Sequence, residues 1–245
     1  VLDFEMVTSH VWRLELPFQL LGIFSRPTAV FLVQKDADWI LIDAGPPETA
    51  DTLVAAVARA TAGQGPRMIM LTHGHYDHAG GLEAVRRAWN PPVLCHRHEV
   101  PFLVGELQYR HLKSKNLVYW FTRNFIRSSP YPVPIGRDLE RGESAGGMAV
   151  IHLPGHTPGQ IGFFHPEDRA LICGDAVTNV NGVLAPPSLV ATYDPALARQ
   201  SMARMVELDF AHLLPSHGPV ISRRGQEVLR KLIQDESMDE IPTSL

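Results

Sequence analysis

Thr72-His73-Gly74-His75-Tyr76-Asp77-His78 sets three imidazoles and a carboxylate close together, directly after the apolar run Met68–Leu71. A strand end turns alternate residues to one side, so His73 and His75 can face a common point. The turn that follows brings Asp77 and His78 to a second point nearby. Imidazoles and a carboxylate are suitable ligands for borderline divalent ions, and Asp77 adds the negative charge that histidines lack. A solvated, histidine-rich surface turn is the bland alternative, and the position at a strand-to-helix junction argues against it. Half of all the histidines lie between His73 and His111, a bunching that an even surface distribution would not give.

The elements that must position these groups alternate in type. Val11–Leu14, Ala29–Val33 and Trp39–Asp43 are short β-branched or aromatic runs that predict strands. Glu48–Ala62 predicts a helix after the break at Pro46-Pro47, and Met68–Leu71 a buried strand leading into the motif. Ala79–Ala88 predicts a helix and Pro92–Cys95 a strand. Later, Met148–Leu153, Gln160–Phe164, Ala170–Cys173 and His212–Leu214 predict strands. Pro195–Leu208 predicts a helix capped by Asp194, and Ser222–Asp235 a closing helix. The two β-then-α halves have no low-complexity linker between them. They predict one α/β domain over 1–245, two sheets face to face with helices outside.

Composition excludes little. Of 245 residues 45% are apolar and 20% charged, and the net charge of −4 makes no electrostatic case for nucleic acid or an anionic membrane. Cys95 and Cys173, far apart, do not form a disulfide framework, so a reducing, cytoplasmic setting is expected. No run is long and apolar enough to span a bilayer. The segment 100–134 is too long for a simple connection. Its stretch from Tyr109 to Arg127 is basic, without an acid, and Leu117, Phe121 and Phe125 share a helical face. An inserted helical segment is expected, either packing on the core, capping a site for an anionic or amphiphilic small molecule, or joining two copies in a homodimer. Tyr119, Trp120, Phe121 and Arg123, with Thr178 and Asn179, are the candidate substrate contacts.

The H-x-H-x-D-H loop resembles the metallo-β-lactamase superfamily of metal-dependent hydrolases, and four further landmarks follow that resemblance in order. They are Leu41-Ile42-Asp43-Ala44-Gly45, Leu153-Pro154-Gly155-His156-Thr157-Pro158-Gly159, Cys173-Gly174-Asp175-Ala176 and Pro215-Ser216-His217-Gly218. The resemblance spans Val11 to Gln234 apart from the insert and implies an αββα sandwich with mixed sheets. It implies that His73, His75 and His156 bind one divalent ion, and that Asp77, His78 and His217 bind another. Asp175 would bridge them. Zn2+ is the expected metal, with Fe, Mn, Co or Ni as alternatives. A bridging water would become hydroxide near neutral pH, with Asp77 orienting it or accepting its proton. Asp43 is expected to steady the metal loop rather than to ligate.

Departures from the family's branches narrow the reaction. Zinc β-lactamases with a cysteine ligand carry Cys where Asp175 stands here. Glutathione-thioester hydrolases of the family add a helical C-terminal domain, whereas only residues 218–245 follow His217, so that substrate is not expected. Acyl-homoserine lactonases share the seven ligands but typically have Tyr where Ala176 stands. The reading that remains is hydrolysis of an ester, lactone or thioester. An acyl-homoserine lactonase, a phosphodiesterase and a mononuclear iron dioxygenase are the alternatives. The other histidines are expected to lie outside the centre. His152 would point away, His96 and His98 would be surface or pocket wall, and His10, His111, His165 and His212 have no partners at ligand spacing. Cys173 is read as core.

Overall fold

The computed structural model describes residues 1–20, 24–109 and 133–239. Its first sheet is built from β1 (Glu5–Met6), β2 (Val11–Leu16), β5 (Thr28–Lys35), β6 (Asp38–Ile42), β7 (Met68–Met70), β8 (Val93–His96) and β9 (Arg137–Leu139), in that order. Pairing is antiparallel up to β6 and parallel from β6 to β9. A short hairpin, β3 (Gln19–Leu20) with β4 (Phe24–Ser25), interrupts it. The second sheet runs β10 (Ser144–Ala145), β11 (Met148–His152), β12 (Ile161–His165), β13 (Ala170–Gly174) and β16 (His212–Pro215), with only β13 and β16 parallel. A second hairpin, β14 (Thr178–Val180) with β15 (Val183–Ala185), lies between β13 and β16 in the chain.

Strand alternation explains the layers. Phe31, Val33, Ile40, Ile42 and Met70 face inward and meet Val150, Phe163, Ile172 and Leu214 from the other sheet. The residues between them, Leu32, Leu41 and Ile69, turn outward beneath α1 (Ala50–Ala60) and α3 (Leu82–Trp89). On the far side Leu171, Cys173 and Leu213 pack under α5 (Pro195–Met205) and α6 (Gly225–Asp239). Two-residue periodicity thus feeds three apolar layers and yields helix–sheet–sheet–helix. Cys173 is core, as expected. Asp194 caps α5 by accepting the Leu197 N–H at 3.0 Å. Among the described residues no helix is long and apolar enough to cross a membrane.

Two local expectations change in a way that matters for the site. The helix predicted from Ala79 is two helices, α2 (Tyr76–Ala79) and α3, so Asp77 and His78 lie on a helical turn. Gly80-Gly81 separates them because the backbone there runs against Pro47 and Ala44. A Cβ on Gly81 would sit 2.2 Å from the Ala44 oxygen. Strand β9 was not expected because Arg137-Asp138-Leu139 lacks an apolar run; pairing with β8 makes it a strand. Of the segment 100–134, α4 (Val100–Leu103) is helical. Residues 110–132, with Tyr119, Trp120, Phe121, Arg123 and His111, lie outside the described residues.

Candidate metal centre

The strands deliver their loops to one end of the sandwich. His73 and His75 leave β7, Asp77 and His78 sit on α2, His156 lies between β11 and β12, Asp175 follows β13 and His217 follows β16. His73 Nε2 and His156 Nε2 approach His75 Nδ1 at 3.1 and 3.0 Å. Asp77 Oδ2 lies 3.3 Å from His217 Nε2 and 3.7 Å from His78 Nε2. Asp175 stands between the two groups. Its Oδ2 is 3.5 Å from His156 Nε2 and 3.2 Å from His217 Nε2, while Oδ1 is 3.4 Å from His78 Nε2. His78 Nε2 and Asp175 Oδ1 are buried without a well-formed hydrogen bond. Converging lone pairs and orphaned buried polar atoms are what divalent cations would satisfy, so the donor set fits them.

The outward nitrogens explain why the inward ones converge. His217 Nδ1 donates to the Pro27 carbonyl at 2.9 Å, and His78 Nδ1 meets Asp43 Oδ2 at 2.9 Å. His73 and His156 place Nδ1 against Thr72 Oγ1 (3.1 Å) and Thr192 Oγ1 (3.2 Å). Each such partner orients its ring and leaves Nε2 for the centre. Asp43 also accepts the Thr72 N–H and hydroxyl, each at 2.8 Å, from a left-handed backbone at φ 61°. That conformation is uncommon outside glycine and aims the carboxylate beneath the loop.

Charge follows from the geometry. Burial alone would raise the Asp77 and Asp175 carboxyls, but the adjacent imidazoles hold both well below the usual range. His78, despite burial, is raised by Asp77 and Asp175. Burial dominates at His73 and His156, and His156 falls to about 4, so its ring is neutral at neutral pH.

Sequence reasoning missed Glu99. It is fully buried three residues after β8, and its carboxylate accepts the N–H of Gly74 and of Gly159, each at 2.8 Å. One side chain therefore ties the loop of His73 and His75 to that of His156. Gly159 has to be glycine here, since a Cβ would lie 2.8 Å from the Glu99 backbone nitrogen. Tyr109 donates its hydroxyl to Glu99, and its ring stands edge-on to His75 at 4.7 Å. Arg26, half-buried, brings its guanidinium within 3.8 Å of Asp175. Neither Glu99 nor Arg26 belongs to a local motif, and nothing short of the fold would have marked them. Thr28, which donates to Asp77 at 3.1 Å, is of the same kind. Thr178 and Asn179 lie in β14, with side chains donating to the carbonyls of Pro186 (3.4 Å) and Pro219 (2.7 Å). The Asn179 N–H also holds the His217 carbonyl at 2.9 Å.

Among the described residues His10, His165, His96, His98 and His152 find ring partners, contrary to expectation for the first two, while the buried Nδ1 of His212 makes no hydrogen bond. His10 and His165 stack at 5.2 Å, and His10 Nδ1 meets Asp168 at 2.9 Å. His96 and His152 stack at 4.1 Å beside His98. Burial first, then the neighbouring imidazoles, lowers His96 from 6.5 to about 4, and burial lowers His152. The unfolded chain takes up the His96 proton first, so its contribution to stability is whole above pH 6.5 and is lost as pH falls through about 4. Urea melts of metal-free protein should show this slope, shallower in His96→Gln; equal slopes would remove His96 as its source.

Two mixed sheets face to face, helices on both outer faces and a histidine–carboxylate cluster on the loops at one end define a metallo-hydrolase architecture. The chain belongs to the metallo-β-lactamase superfamily, whose family model matches residues 24–217. It is 31% identical over 237 residues to the probable metallo-hydrolase YflN of Bacillus subtilis (strain 168), covering 86% of this chain and 88% of that one. It is 30% identical over 154 residues to a hydroxyacylglutathione hydrolase of Anaeromyxobacter dehalogenans (strain 2CP-C), covering 63% of this chain and 48% of that protein. Among solved structures, TTHA1623 in a di-iron-bound form matches with TM-score 0.65 and 27% identity, over 89% of this chain and 98% of that one.

Proposed function

We propose that this chain is a binuclear metal-dependent hydrolase of ester, lactone or thioester carbonyls. The observation that carries the reading is the Asp175 carboxylate, whose two oxygens face imidazoles of both groups. His73, His75 and His156 would hold one ion, Asp77, His78 and His217 the other, and Asp175 both. Bound divalent ions, Zn2+ by expectation, supply Lewis acidity toward a carbonyl oxygen and acidify water. Asp77, held ionised and fixed by Thr28, would orient a water in the centre by accepting a hydrogen bond from it.

A cavity of about 660 Å³ adjoins the centre, lined by Phe102, Glu106, Leu107, Tyr109 and Tyr193 among others. Tyr109 joins it to His75, and Tyr193 joins it to His156 by donating its backbone N–H to the His156 carbonyl at 3.0 Å. Phe102, Leu107 and the tyrosine rings in this mixed wall suit an acyl or alkyl group, and Arg26, beside Asp175, would supply a cation for a substrate carboxylate. The thioester arm draws support from the hydroxyacylglutathione hydrolase relative, and iron as the metal from the di-iron neighbour.

Metal analysis of protein purified without added metal, followed by a panel of lactone, aryl ester, thioester, β-lactam and phosphodiester substrates, tests the proposal. About two ions per chain with turnover of a carbonyl substrate are expected. Turnover of phosphodiesters alone, or a single iron with oxygen consumption, would overturn it.

A further inference from the structure

Outside the centre, the chain repeats its own metal-binding pattern. Cys95-His96-Arg97-His98 closes an apolar strand with H-x-H, as His73-Gly74-His75 does. Inward-facing Leu94 on β8 puts His96 on the same side two residues later. On the opposite sheet, Met148 and Val150 face inward, and the same alternation brings His152 to that side. The two rings therefore meet where the inter-sheet core ends, stacked at 4.1 Å and 14°. His98, on the turn after β8, closes the group with its ring 4.9 Å from His96 and 6.2 Å from His152. One nitrogen from each of the three comes within 4.8 Å of the others.

We propose that His96, His98 and His152 form a separate site for one zinc-class divalent ion, joining the two sheets at the edge of their shared core. Three imidazoles are a sufficient protein ligand set for such an ion, with water or an external group completing the tetrahedron. One hydrogen bond fits as it stands and one must be given up. His152 Nε2 donates to the Pro158 carbonyl at 3.2 Å, which leaves its Nδ1 with a lone pair. Binding would turn the His96 ring out of its stack on His152, exchanging the long 3.3 Å bond that its Nδ1 accepts from the His98 N–H for the ion. His98 is exposed and gives an ion a route from solvent, while His96 is buried and fixes the site in place. Arg97 does not oppose the cation, because Asp138 (3.7 Å) and Glu140 pair with it. The His10–His165 pair is a weaker candidate, since Asp168 already receives His10 Nδ1 and the Thr8 hydroxyl.

The site stands apart from the proposed catalytic centre and does not rest on that reading. Its ligands nevertheless flank the Glu99 clamp, with His96 three residues before Glu99 itself and His152 four before His156, on one of the loops that Glu99 ties. The test is zinc content after equilibrium dialysis of wild type, His98→Ala and His98→Ala/His152→Asn, each also carrying Asp175→Ala in a second set. Wild type should retain one zinc equivalent more than the double variant, and His98→Ala should hold that ion at least tenfold more weakly. The difference should persist in the Asp175→Ala set, where the catalytic centre is impaired, so failure of either idea can be told from failure of the other. Circular dichroism checks that the variants fold. Equal zinc content in folded wild type and double variant would overturn the site.

Discussion

Asp175→Ala is expected to abolish hydrolysis while leaving a folded chain. Asp175 is the one group that both halves of the proposed centre share, within 3.5 Å of His78, His156 and His217. Without it neither metal position keeps a full donor set, and the charge that offsets two cations drops by one. Lewis-acid stabilisation by bound metal is worth several kcal/mol, so a loss of about 10³-fold or more in kcat/KM follows at 1.36 kcal/mol per decade. The fold should tolerate the change, because a buried, ionised carboxylate is itself costly. His78 and His217, whose protonation Asp175 favours, can then become neutral. Bound metal measured beside turnover should fall together with it. Undiminished turnover in a folded variant would sink the two-metal reading.

Glu99→Ala should act on stability more than any change at the metal-facing residues. Its carboxylate is the acceptor for the Gly74 and Gly159 amides, in a place that is fully buried. Each buried donor left without an acceptor costs about 1–3 kcal/mol, so the two amides together cost roughly 2–6 kcal/mol. For a chain of this size that lowers Tm by on the order of 5–20 °C, at about 2–4 °C per kcal/mol. Metal affinity should fall as well, because His73, His75 and His156 lie on the two loops that come untied. Glu99→Gln keeps one accepting oxygen and turns an amide toward the other N–H, so about half the loss is expected. Thermal melting of metal-free and metal-loaded protein measures both effects. A Glu99→Ala melting point within a degree or two of wild type would show that water replaces the carboxylate and that Glu99 is no clamp.

Three pieces of the structure were legible because their information is local. The unbroken apolar runs in Ala29–Val33 and Trp39–Asp43 mark strands, since a strand covered on both faces is apolar at successive positions. Asp194 before Pro195 marks a helix start, since it needs only a side-chain oxygen near free N–H groups. His73, His75, Asp77 and His78 cluster within one turn of chain and would stay close in almost any compact fold. The split at Gly80-Gly81 was not legible, because its cause is Ala44 and Pro47, distant in sequence and pressed against it.

By itself, then, the sequence determined the layered α/β class and the superfamily, through short motifs whose spacing is set by strand ends and turns. It also marked which carboxylates and imidazoles are candidates for the centre. Only the tertiary structure decided what surrounds them. Glu99 reaches two loops 25 and 60 residues away, Arg26 comes near Asp175, and His96 meets His152 because two sheets close on one another. Those contacts join residues far apart in the chain, and no local period encodes them. They exist because burying both inner sheet faces brings the strand ends, with whatever side chains they carry, to the same place.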